Sequence, residues 1–186
     1  MIRLVVGRTW FARPNSCYLL RDTQMVSTKH VTDRRMLRFN TVEDVLADID
    51  RIVAADKAGK LRTTGNWTAG QAMGHVAEWI NYAYEGFPIG PPPWPIRVIL
   101  GFLKKKYLRN GLPAGVMIPK VKNGTFATDN LSIDDGAARL RKALNRLTSG
   151  EPAKFKSPAW GDMPDSERIT LNLRHAELHL SFLHLQ

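Results

Sequence analysis

An all-α chain, folded as a four-helix bundle with one long crossover, is predicted by three features of the sequence. Four segments repeat apolar residues at three- and four-residue spacing, each opens near a capping residue or proline, and none alternates apolar with polar as a half-buried strand would. After Thr41 the first stripe is Val42, Val45, Leu46, Ile49, Ile52 and Val53, ending near Gly59, with Asp44 completing an imperfect capping box. A second helix opens after GNW with Thr68 as its cap and carries Ala72, His75, Val76, Trp79, Ile80 and Ala83 on one face up to Glu85. Gly86 and the stretch PIGPPPWP break it. The third runs from Ser132 to Gly150, with Asp134 and Asp135 favourably placed in its first turn and Ala137, Leu140, Leu144 and Leu147 as its buried side. The fourth starts at Pro164 or Asp165, with Ile169, Leu173, Ala176, Leu180 and Leu183 as core. Between the second and third helices lies the long crossover. Within it, WPIRVILGFLKKKYL predicts a short amphipathic helix with Ile96, Ile99, Leu100 and Leu103 on its apolar side and Lys104, Lys105 and Lys106 at its cationic end.

With 186 residues, 44% of them hydrophobic, the chain can bury one ordinary core. Its single cysteine, Cys17, excludes an intramolecular disulfide framework or a cysteine-built zinc site, and a reduced cytoplasmic setting is the simplest expectation. No run of 18 apolar residues is present, so no transmembrane segment is expected. The net charge of +10 is unevenly spread: residues 1–40 carry +6, residues 95–122 carry +7, and the remainder is −3. Basicity confined to one tail and one insertion favours a local surface role, and no specific nucleic-acid partner is expected. Residues 1–35 show no sustained periodicity and are expected to form a disordered basic tail, dispensable for folding, on a bundle comprising residues 36–186. Arg34 and Arg35 in TDRRMLRF resemble a twin-arginine export motif, but FNTVEDVLADID follows, with acids where an export signal needs an apolar core.

Three of the five histidines fall in RHAELHLSFLH, residues 174–184. His175 and His179, four residues apart, project from one helix face and could share an ion. His184 lies nine residues past His175, which at about 100° per residue turns it to the far side of the same helix. Glu177 is about 200° round from His175 by the same geometry, so the glutamate-adjacent arrangement of zinc proteases is excluded. On the second helix, His75 sits within the apolar face of GQAMGHVAEWI, where its nitrogens need either a hydrogen-bonding partner or a metal.

GNWTAGQAMGHVAEWI resembles the second-helix signature of DinB/YfiT-like proteins, and RHAELHLSFL resembles their last-helix histidine pair. SPAWGDMPDSERITLNLRHAELHLSFL is similar to the ending of a branch of that superfamily known only as a domain of unknown function. The likeness covers residues 36–186. It implies an up-down-down-up four-helix bundle holding a divalent ion on His75, His175 and His179 at the bottom of a cleft. It also implies thiol-dependent transferase, isomerase or hydrolase chemistry. Ser157, before the proline of SPAWG, stands where the branch is expected to have a histidine.

Three neutral imidazoles leave open positions on a bound Zn²⁺ or Ni²⁺, which could activate water or hold a low-molecular-weight thiol. Either use needs a proton acceptor, and Glu78, one turn after His75, is the first candidate, against a solvated rim glutamate. Trp79 and Tyr82 either line the cleft or pack in the core. Asn172, one turn before His175, either orients that ring or is an ordinary polar residue. The expected partners are a small-molecule substrate and, in a homodimer, a second copy of the chain. A rival from another class is a non-enzymatic binding or stress-associated module with structural or vestigial histidines.

Overall fold

Thr41 Oγ1 accepts a hydrogen bond from the Asp44 N–H at 3.2 Å while the Asp44 carboxylate accepts one from the Thr41 N–H at 3.0 Å. This complete capping box starts helix α1, Val42–Lys57, in the computed structural model, which describes residues 26–121 and 124–186. Thr68 and Gln71 form a second capping box at the start of α2, Ala69–Glu85, and Ser132 accepts from the Asp135 N–H at the start of α4, Ile133–Thr148. α5 is Asp165–Leu180, opened by Pro164. Among the described residues the chain is mostly helical, with five α-helices and one small two-stranded ribbon. None of the described helices is long and apolar enough to cross a membrane.

Four of the helices share one core. Val45, Ile49 and Ile52 of α1 meet Met73, Val76 and Ile80 of α2, Leu140 and Leu144 of α4, and Leu173 and Leu180 of α5, and burial of each such side chain contributes about 1.5–3 kcal/mol. α2 and the start of α4 approach most closely at glycines. A Cβ built on Gly70 would stand 2.2 Å from the Leu131 carbonyl oxygen, and one on Gly136 would stand 2.4 Å from the Gly70 carbonyl oxygen. Gly70→Ala is therefore expected to cost about 1–3 kcal/mol through forced backbone separation, measured as a lower urea midpoint. Gly101→Ala, at a site with nothing within 4 Å of the added carbon, is expected to cost nothing and to gain helix propensity.

The expected short helix of the crossover is longer and differently turned. α3 spans Trp94–Asn110, and its inward side is Leu100, Leu103, Lys104, Tyr107 and Leu108, half-buried against α5. Ile96 and Ile99, expected on the apolar side with Leu100 and Leu103, are exposed. The inward stripe follows the later repeat through Tyr107 and Leu108, which rotates the covered side away from Ile99. Trp160 Nε1 donates to the Leu100 carbonyl at 2.8 Å, and Lys104 pairs with Glu167, so the three lysines are not equally solvated.

The ribbon corrects the expectation of no strands. β1, Leu61–Thr63, pairs antiparallel with β2, Leu183–Leu185, in the register Leu61↔Leu185 and Thr63↔Leu183. Three residues are too few to show an alternation in sequence. α5 ends at Leu180, so Leu183 and His184 belong to β2 and not to a continuing helix.

The boundary expected at residue 36 also moves. Residues 1–25, Cys17 included, lie outside the described residues, but residues 26–35 are tied to the domain. The Arg35 guanidinium grips the fully buried Asp48 carboxylate of α1 with two bonds, 2.9 Å and 2.7 Å, and also donates to the Leu180 carbonyl at 3.1 Å. Its backbone N–H donates to the Ser181 carbonyl at 2.8 Å. Arg34 lies 4.5 Å above the Phe182 ring and donates from Nε to Ser181 Oγ at 2.9 Å. The two arginines that resemble an export motif are structural anchors.

Candidate metal centre

α2 and α5 pack against each other, and this contact brings His75 to the α5 pair. One nitrogen from each of His75, His175 and His179 lies within 4.8 Å of the others. The ring centroids stand 4.5 Å apart for His75 and His179, 4.6 Å for His175 and His179, and 5.1 Å for His75 and His175. Among the described residues this is the cluster of side chains placed to hold a metal ion.

His75 is 2% exposed, and its Nδ1 lies 3.0 Å from the Phe126 carbonyl oxygen. A carbonyl only accepts, so Nδ1 carries the proton and Nε2 keeps its lone pair for a ligand. The backbone of the crossover thus selects the tautomer that metal binding requires. His175 and His179 retain some solvent contact. They are nevertheless surrounded by enough protein that burial pushes both ring pKa values well below 6.5, followed by the charge of His75 at His175 and the charges of His175, His75 and Arg34 at His179. Burial takes the His75 pKa down to about 4, against smaller upward effects of the Phe126 and Ala127 carbonyls.

These shifts set a pH dependence. In the unfolded chain the three imidazoles take up protons as pH falls through about 6.5, while the folded rings stay neutral. The unfolded state binds more protons in that window, so stability of the ion-free protein is lost as pH falls from about 6.5 toward the His75 value of about 4. Urea midpoints measured with a chelator at pH 7 and pH 5 should show this loss, and the loss should shrink in His75→Leu. An ion held by these rings should likewise survive below pH 6.5, because proton competition is displaced toward pH 4 with the same folded-state pKa.

Aromatic side chains wall the cluster. Trp67 lies flat against His179, with centroids 5.1 Å apart and planes 15° apart, and is 4.7 Å from His75. Trp79 stands 6.0 Å from both His75 and His175, and its indole N–H is buried with no acceptor among the described residues. Tyr82 continues the wall at 5.6 Å from Trp79, and Phe87 follows at 5.9 Å from Tyr82. Burial raises the Tyr82 phenol pKa, with Glu78 and Asp129 adding to the effect.

Two expected helpers are engaged elsewhere. The Glu78 carboxylate lies 3.8 Å from Arg139 of α4, which also lies 3.8 Å from Asp129. Glu78 is one turn from His75 but leans toward α4, whereas His75 faces α5. The Asn172 amide donates to the Arg168 carbonyl at 2.9 Å, back along its own helix, and so is not free to orient His175 with that bond. Glu177 accepts from the Phe39 N–H at 2.6 Å and pairs with the buried Arg174, on the opposite side of α5 from the histidines. His184 is remote for a different reason than its helical angle: it sits in β2 beside Thr64 Oγ1 at 3.4 Å and the Asp33 carbonyl at 3.3 Å. Ser157 closes a turn, exchanging backbone hydrogen bonds with Gly161 and accepting from the Trp160 N–H at 3.3 Å. Sequence reasoning missed Trp67 and Phe126 as site residues. Trp67 was detectable in GNW, one residue before the Thr68 cap, but Phe126 acts through its carbonyl, which no side-chain pattern marks.

No curated protein and no solved structure matches the chain. The family model for a protein of unknown function, DUF1569, matches residues 31–186, beginning just before the anchors Arg34 and Arg35 and covering all three histidines, and the chain belongs to that family.

Proposed function

We infer that His75, His175 and His179 bind one divalent ion, zinc or nickel, and that the chain is a metal-dependent transferase or hydrolase acting on a small molecule. The observation that supports this best is the convergence of three uncharged imidazoles from two helices, one with its ligand nitrogen already selected by a backbone carbonyl. Zinc–nitrogen bonds of about 2.0–2.1 Å place tetrahedral ligand nitrogens about 3.3 Å apart, which nitrogens within 4.8 Å reach by small side-chain rotations. An ion on three neutral imidazoles keeps open positions and supplies Lewis acidity.

The protein supplies the rest. Trp67 and Trp79 exclude water and offer flat apolar walls to a substrate. The Trp79 N–H, without an acceptor among the described residues, is a donor that a bound carbonyl or phosphoryl oxygen would satisfy. Tyr82, with its raised pKa, keeps its phenolic proton at neutral pH. Glu78, 3.8 Å from Arg139 and therefore beyond hydrogen-bond distance of it, keeps its carboxylate available as the candidate proton acceptor but leans toward α4. The same reading makes the architecture DinB-like: α1, α2, α4 and α5 as an up-down-down-up bundle, with α3 in the crossover. A cytoplasmic setting, a low-molecular-weight thiol as co-substrate and a homodimer complete the reading. The Glu78–Arg139 pair favours the second reading, a binding module without catalysis.

Cobalt substitution tests the chemistry. Co²⁺-loaded protein should show a tetrahedral visible spectrum, and a low-molecular-weight thiol should add a near-ultraviolet charge-transfer band if thiolate occupies an open position. A spectrum indifferent to thiols would remove the thiol-transferase reading and leave hydrolysis or binding.

A further inference from the structure

α3 carries on its outward side a stripe that nothing among the described residues covers. Trp94, Val98, Phe102, Lys105 and Arg109 succeed one another at spacings of four, four, three and four, so they form one line along the helix. Trp94 is 75% exposed, Val98 50% and Phe102 83%, with Ile99 beside them at 58%. The line is apolar in its first half and cationic in its second. Over its whole length α3 holds five cations, Arg97, Lys104, Lys105, Lys106 and Arg109, and no acid. Val116 and Met117, a few residues on, are also exposed. Complementing the helix dipole accounts for lysines near the C-terminus but not for four large apolar side chains left in water.

We propose that this face of α3 docks on an anionic phospholipid bilayer, with Trp94, Val98, Ile99 and Phe102 entering the interface and Lys105, Lys106 and Arg109 lying among lipid phosphates. Charge decides the occupant. A second copy of α3 could meet the apolar half but brings no acid to the cationic half. A nucleic-acid duplex would meet the cations and leave the aliphatic side chains unsatisfied. Residues 1–25 of the same chain carry four arginines and one aspartate, a net +3 that α3 would repel. An anionic bilayer matches both halves at once, apolar groups to the acyl boundary and cations to the surface potential. The surface is separate from the histidine cluster and does not depend on what that cluster does.

Co-sedimentation of the full chain with vesicles tests the proposal, comparing phosphatidylcholine alone with phosphatidylcholine containing about 30% phosphatidylserine. Binding should be at least about tenfold tighter to the anionic vesicles and should weaken as salt rises. The double variant Trp94→Ala/Phe102→Ala, which leaves net charge unchanged, should lose at least about tenfold in affinity, and Lys105→Glu/Lys106→Glu should lose as much. Both variants should melt with the parent protein, because the altered side chains are exposed. Equal affinity for neutral and anionic vesicles, or full affinity in Trp94→Ala/Phe102→Ala, would overturn the proposal. Duplex DNA binding lost in the lysine variant and kept in the aromatic one would assign the surface to nucleic acid. A dimer that the aromatic variant converts to monomer would assign it to a second copy. Vesicle binding that emerges only when residues 1–25 are removed would show that those residues occupy the stripe in the full chain.

Discussion

Arg35→Ala is expected to lower the melting temperature by roughly 10 °C. The substitution leaves Asp48, a fully buried carboxylate, without the guanidinium that contacts both its oxygens. Removing one partner of a buried pair costs about 3–5 kcal/mol, and each kcal/mol moves the midpoint of a domain this size by about 2–4 °C. Arg51 also reaches Asp48, at 3.1 Å, but from a largely exposed position, which holds the expected loss to the lower part of that range. Arg35→Ala/Asp48→Ala should be more stable than Arg35→Ala alone, since the uncompensated charge is then gone. A chain beginning at Met36 should lose at least as much as Arg35→Ala, because it also lacks Arg34 over Phe182 and Asp33 beside Arg62. A truncated chain melting within about 2 °C of the full one would show that Arg51 alone satisfies Asp48 and that the anchoring segment is dispensable.

Replacing any one of His75, His175 and His179 with Ala is expected to remove most of the bound ion, because two imidazoles hold a divalent ion far more weakly than three. His184→Ala should leave metal content unchanged, since that ring lies in β2 against Thr64 and Asp33. Trp67→Ala should weaken affinity less than a ligand substitution does: Trp67 packs on His179 and His75 and donates no electron pair. Metal-to-protein ratios of the purified variants measure all five. Equal loss in His184→Ala and His179→Ala would mean that the ratio reports surface histidines rather than the cluster.

How far the sequence foretold this site depended on the kind of interaction. Caps are local chemistry, and Thr41, Thr68 and Ser132 each begin a helix because the bonds that decide the matter lie within three residues. The His175–His179 face is equally local, a consequence of a four-residue step. Joining His75 to it needed the relative placement of α2 and α5, which spacing alone leaves open and which came from the resemblance. The Phe126 carbonyl and the Arg35–Asp48 pair were not legible, because a backbone acceptor has no side-chain signature and a half-buried arginine 13 residues from its partner looks like any basic residue of a tail. α3 differs from the sequence expectation in face and length for a related reason. Its covered stripe is chosen by α5, Trp160 and Glu167, partners distant in sequence, while its apolar residues run more than halfway round the helix.

The proposed site joins three neutral imidazoles, one buried and two half-buried, around one divalent ion. Titration of chelator-treated full-length protein with Zn²⁺ at pH 7, followed by isothermal calorimetry and by metal analysis after gel filtration, tests it most directly. The expected result is one ion per chain, retained through gel filtration, a rise in melting temperature on loading, and retention below pH 6.5, with release as pH approaches the His75 value of about 4. A protein that takes up no stoichiometric zinc or nickel, or that loads equally after His75→Ala, would contradict it.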